Sequence, residues 1–154
     1  MSEHMATVVW QRGSQPFTDN AYSRAHEWRF DGGATVPASA SPDVVPLPMS
    51  VAENVDPEEA FVASLASCHM LFFLSIAAKR GYVIDSYTDA ALGYTGKNED
   101  GKVAVTKVVL EPKVSFVGEN VPTAEQIQGM HEKSHDLCFI ANSVRTEVIV
   151  RTSV

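Results

Sequence analysis

Two cysteines carry the reactive potential of this 154-residue chain: Cys68, in the middle of a long apolar run, and Cys138, seventy residues on. A single buried cysteine is ordinarily a small hydrophobe. Two that share a core differ, because a pair of thiols can pass between dithiol and disulfide. Histidines lie close to both. His69 follows Cys68 directly, and His131, His135 and Cys138 form a His-x-x-x-His-x-x-Cys pattern that a helix would present on one face. The cysteines point to thiol redox chemistry, whereas the second pattern points to a zinc site completed by Cys68 or His69. No Cys-x-x-Cys pair supports the metal reading, and histidines near a helix C-terminus are favoured by the helix dipole in any case. His69 lies about 100° around a helix from Cys68, so it reads as a satisfied core or interface histidine rather than the base of the thiol.

The elements that must position these residues can be read from their boundaries. Asp56 is placed to cap a helix, Pro57 suits the first helical position, and Glu59 completes a capping box. Lys79 and Arg80 in the last turn and Gly81 beyond them mark its end. This predicts a helix from Pro57 to Arg80. A second helix opens at Pro122 and Thr123, where Gln126 completes another box, and Ile127, Met130, Ser134, Leu137 and Cys138 recur at helical spacing. Strands are expected over Thr7–Arg12, Tyr22–Phe30, Ser86–Thr95, Lys102–Val117 and Thr146–Val154. Lys97 to Gly101 forms a hairpin turn, Pro112 marks a bulge or edge, and Pro37 to Pro48 forms an ordered proline-rich connection. The pattern is that of an α+β domain, two helices against antiparallel sheet.

Length bounds the chain to a single domain over residues 1–154. The net charge of −7, with Lys and Arg scattered singly, excludes the basic footprint that nucleic acid or an anionic membrane surface requires. Phe61 to Ala78 holds 14 apolar residues of 18 and no charged one. Ser64, Ser67, His69 and Ser75 interrupt it, and it is the only such segment, so it reads as a core or interface helix rather than a membrane span. Met1 to Met5 shows no secretory signal, which makes the cytoplasm the expected compartment. There a lasting structural disulfide is disfavoured and a transient catalytic one is the usual reason for pairing cysteines.

The run Asp56-Pro57-Glu58-Glu59-Ala60-Phe61, followed by Ala66-Ser67-Cys68, resembles the Asn-Pro-Glu-Glu/Gln and Ala-Ala/Ser-Cys signature of the OsmC/Ohr family. Cys138 with Asn142 resembles that family's second-cysteine motif, and the resemblance runs from about Tyr22 onward. It implies an OsmC-like fold in an intertwined homodimer. It also implies a peroxidase that reduces organic hydroperoxides without metal, haem or flavin. Cys68 would then be peroxidatic and Cys138 resolving, with Arg24 and Glu58 as supporting residues and an external dithiol, of lipoyl type by family precedent, as reductant. Arg12 and Arg29 lie near Arg24, and the segment Tyr22 to Trp28 departs from better-known members. So does His69, where a phenylalanine-type residue is common.

These residue types suit that reaction. A thiol of ordinary pKa, about 8.5, is mostly protonated at neutral pH, so a peroxidatic cysteine needs a cation beside it. Arginine stays charged there, and a carboxylate can hold its fork. Ten residues of one helix separate Glu58 from Cys68 by roughly 15 Å, too far for both to serve one site. A symmetric dimer removes the difficulty if Glu58 of one copy approaches Cys68 of the other.

Overall fold

The computed structural model describes residues 1–152, and the chain divides into two compact units, Met1–Ala60 and the residues from Phe61 onward. In the first, β1 (Ala6–Val9), β2 (His26–Phe30) and β3 (Thr35–Ala38) form an antiparallel sheet in that order. β3 is a strand the sequence reading passed over, because Pro37 lies inside it. As an edge strand it tolerates the missing N–H, and Pro37 stands opposite Glu27. The proline-rich connection that follows is tied down as expected. Ser39 Oγ accepts the Val51 N–H at 2.9 Å, Asn54 Nδ2 donates to the Ala38 carbonyl at 3.1 Å, and the Ser39 N–H reaches the Val55 carbonyl at 3.0 Å.

Helix α1 (Pro57–Lys79) starts where its capping residues place it. Asp56 Oδ1 accepts the Glu59 N–H at 2.8 Å, and Glu59 Oε2 accepts the Asp56 N–H at 3.1 Å. It ends one residue before the expected limit, and Gly81 adopts the left-handed conformation, φ +79°, that a helix stop favours.

In the second unit, β4 (Val83–Asp89) pairs with β7 (Pro112–Val117), and β5 (Leu92–Lys97), β6 (Val103–Leu110) and β8 (Glu147–Val150) form a second sheet. The single strand expected over Lys102–Val117 is therefore two, in different sheets, broken at Glu111. The strand expected at Ser86–Thr95 likewise divides between β4 and β5. The hairpin turn at Lys97–Gly101 joins β5 to β6 as read. The pairing is antiparallel except between β6 and β8, which run parallel. Helix α2 (Ala124–Leu137) carries the Thr123–Gln126 capping box, and a single further turn, α3 (Phe139–Asn142), follows Cys138. Of the last expected strand, Ser153 and Val154 lie outside the described residues.

One stripe of α1, Leu65, His69, Phe73 and Ala77, is buried at a spacing of four. Its two ends enter two cores. Leu65 packs with Val108 and Leu110, joined by Val148 and Ile140. Phe73 and Ala77 pack with Met130, joined by Ile84, Tyr87 and Phe116. The helix approaches β5 so closely that a Cβ on Gly93 would lie 2.5 Å from a Val62 methyl carbon, which explains a glycine inside a strand. The other faces of α1 are far less covered, and Leu71 is 59% exposed.

Candidate active site

Cys68 projects from the middle of α1 and is partly exposed, while Cys138, the residue between α2 and α3, is 1% exposed. Both are free thiols, and they are near enough for Cys68 to act on the titration of Cys138. The Cys138 thiol interacts directly with that of Cys68, and its pKa is pushed up to about 11, first by burial and then by that neighbour. Its sulfur also accepts the Ala141 N–H at 3.4 Å, which caps the turn that follows. Beside the thiols, Phe72, one turn after Cys68, meets Phe139 edge to face with ring centroids 5.4 Å apart.

On the other side lies a buried pair of histidines. His69 Nε2 and His131 Nδ1 are 2.9 Å apart, both residues are almost fully enclosed, and Phe73 stacks on His131 at 4.2 Å. Burial, above all, lowers both imidazoles from 6.5 to about 4; for His69, repulsion from His131 and His135 adds to it. They are neutral at physiological pH. Sequence reasoning placed His69 as a satisfied histidine and His131 in a metal pattern, and did not pair them. One signal was available: His131 precedes Cys138 by two turns on the same face, as His69 adjoins Cys68. Among the described residues no three His, Cys, Asp or Glu side chains are grouped to hold a metal ion.

Arg24 and Glu58 belong to the first unit. Arg24 lies in the loop before β2, not within the strand as expected. Its guanidinium donates to the Asn20 carbonyl at 3.1 Å, to Asn20 Oδ1 at 2.9 Å and to the Tyr22 carbonyl, and it stands 3.6 Å over the Tyr22 ring. Glu58 sits in the first turn of α1, with Oε2 buried and without a partner among the described residues. Among the described residues no ion pair joins the two. The neighbouring arginines are engaged elsewhere: Arg12 donates to the Gln15 carbonyl at 3.0 Å, and Arg29 pairs with Glu27. An open groove of about 840 Å³ near Phe61, Lys97, Thr106 and Arg145 is lined by neither cysteine.

A partly open thiol backed by a buried, protonated one suits two-step sulfur chemistry. Residues 51–153, which include both cysteines, match the family described as OsmC-like protein. The chain belongs to the OsmC-like family. No curated protein matches it. Among solved structures, an OsmC-like protein of unknown function from Vibrio cholerae is 62% identical over 99% of this chain and 100% of its own, with a TM-score of 0.98. An organic hydroperoxide resistance protein from Elizabethkingia anophelis is 19% identical, covering 99% of this chain and 94% of its own at a TM-score of 0.70. One from Legionella pneumophila is 15% identical over 100% and 98%, at 0.67. At those identities the last two share the OsmC-like fold with this chain.

Proposed function

We propose that this OsmC-like protein is a homodimeric thiol peroxidase that reduces organic hydroperoxides in the cytoplasm. The observation that carries the reading is that Cys138, buried and with its pKa raised, has as a neighbour the thiol of Cys68, which solvent can reach. In the first step the Cys68 thiolate attacks the peroxide O–O bond. Sulfur takes the nearer oxygen to become a sulfenic acid, and the alkoxide leaves, taking up a proton to become an alcohol. The Cys138 thiol then displaces the sulfenic hydroxyl, giving a Cys68–Cys138 disulfide and water. Two electrons from an external dithiol, of lipoyl type, restore both thiols.

Arg24 has the charge to hold the Cys68 thiolate and stabilise the departing alkoxide, and Glu58 to orient that guanidinium. A second copy supports both roles, since Glu58 lies roughly 15 Å along α1 from Cys68 of its own chain. What supports the dimer is the apolar surface of α1 left uncovered outside its one buried stripe, Leu71 foremost.

Addition of an alkyl hydroperoxide to the reduced protein is expected to consume two thiols per peroxide and to produce the Cys68–Cys138 disulfide, identified by peptide mass. Cys68→Ser should abolish both. Retention of both thiols, or undiminished consumption by Cys68→Ser, would remove the proposal.

A further inference from the structure

The two thiols are held in place by different kinds of contact on their two flanks. Phe72 on Phe139 is an aromatic contact, and Phe139 is 73% exposed, so that side can slide. His69 with His131 is a hydrogen bond of 2.9 Å between two buried rings whose planes differ by 9°. Their centroids are 5.3 Å apart, the disposition of rings meeting edge to edge, as in-plane imidazole nitrogens require. Phe73, stacked on His131, fixes the second ring.

The pair is costly as packing. Among the described residues His69 Nδ1 is buried with no partner, and an unmet buried polar atom is destabilising. Two apolar side chains would fill the space without that cost. An unmet N–H is rarer in folded proteins than an unmet acceptor. That assigns the shared proton to His69 Nε2, donating to His131 Nδ1. Such a bond is directional and of fixed length, which apolar contacts are not.

Its position gives it a use. His69 adjoins Cys68 on α1, and His131 lies on α2 two turns before Cys138, the residue that caps the C-terminal end of that helix. We infer that the His69–His131 hydrogen bond is a positioning clamp that sets the separation of the Cys68 and Cys138 sulfurs. Neither imidazole touches the peroxide; both act through the helices that carry the thiols. The inference rests on the two-thiol reading above for its use in turnover, but the clamp can be measured without turnover.

The test compares the wild type, the double variant His69→Leu/His131→Leu, and His131→Asn, which keeps an acceptor facing His69 Nε2. Thiol separation is read from the rate at which dibromobimane bridges Cys68 and Cys138, and from the equilibrium between their disulfide and dithiothreitol; urea midpoints report stability. The double variant should be at least as stable as the wild type, yet bridge more slowly and lose about tenfold in the disulfide equilibrium, about 30 mV for a two-electron couple. His131→Asn should stay within about twofold of wild type. Wild-type behaviour in the double variant, or an equal loss in His131→Asn, overturns the clamp. On the unaltered protein, NMR of ¹⁵N-labelled histidine should show coupling across the hydrogen bond, and its absence overturns the clamp without any variant. If alkyl hydroperoxide forms no disulfide while bridging still depends on the histidines, the clamp stands and the peroxidase proposal falls.

Discussion

From Phe61 onward the candidate chemistry is enclosed: Cys138 is buried against Cys68, and α1 reaches α2 through a buried histidine pair with a hydrophobic core on either side. In the first sixty residues the candidate charges lie outside either hydrophobic core. Arg24 rests on two carbonyls, one side-chain amide and the Tyr22 ring, and Glu58 has a buried carboxylate oxygen with no partner among the described residues. The difference matches what each group would do in the proposed peroxidase reaction. Two sulfurs that are to bond must be fixed by core packing, because small displacements separate them. A guanidinium acts through charge and can be held by hydrogen bonds that are readily exchanged.

The comparison is broken most severely by Phe73→Ala, which removes the ring shared by the second core and His131. A loss of about 3–5 kcal/mol is expected from urea denaturation. A loss under 1 kcal/mol would mean the thiol region is not held by that core. Arg24→Met tests the other side. It should slow peroxide reduction by about a hundredfold in stopped-flow traces while leaving the stability read by urea denaturation within about 0.5 kcal/mol of wild type. A loss of stability matching that of Phe73→Ala would show that the two regions are not separable in this way.

Acidification acts on the buried histidine pair of the enclosed region. The unfolded histidines take up protons near pH 6.5, whereas the folded pair resists until about 4. Between those values the unfolded state binds more protons, so the stability present above pH 6.5 is lost as pH falls toward 4. The limit is about tenfold in the folding constant per pH unit for each proton. Urea midpoints from pH 7 to 4.5 should decline accordingly, and the decline should flatten in His69→Leu/His131→Leu. The smallest effect belongs to Thr123→Ala, which removes the α2 cap at a cost of about 1 kcal/mol. Activity should persist, since that cap is far along α2 from Cys138.

What could be read in the chain divides along similar lines. Helix α1 was legible almost to the residue because Asp56, Pro57, Glu59 and Gly81 act on their immediate neighbours. The Thr123–Gln126 box gave α2 in the same way. The break at Glu111 was read only as a bulge or edge at Pro112, because apolar alternation continues through it while the strands change sheets. The parallel β6–β8 pairing and the His69–His131 bond, which spans 62 residues, were not legible because no local preference specifies them. Of the candidate site, the thiols were found through the motif around Cys68 and the face of α2 that carries Cys138. The loop setting of Arg24 was missed, because Tyr22 to Trp28 has strand-like composition and its turn is set by the Arg24 side chain bonding back to Asn20.

In the proposed reaction cycle, the bond from the Ala141 amide to the Cys138 sulfur would be a spectator of the thiol redox state. A sulfur drawn into a disulfide is a poorer acceptor and must turn toward its new partner, so this proton is released as oxidation proceeds. Its resonance should move upfield in step with the loss of thiols. A single backbone signal, with no dye or added probe, would then follow each oxidation and reduction in real time.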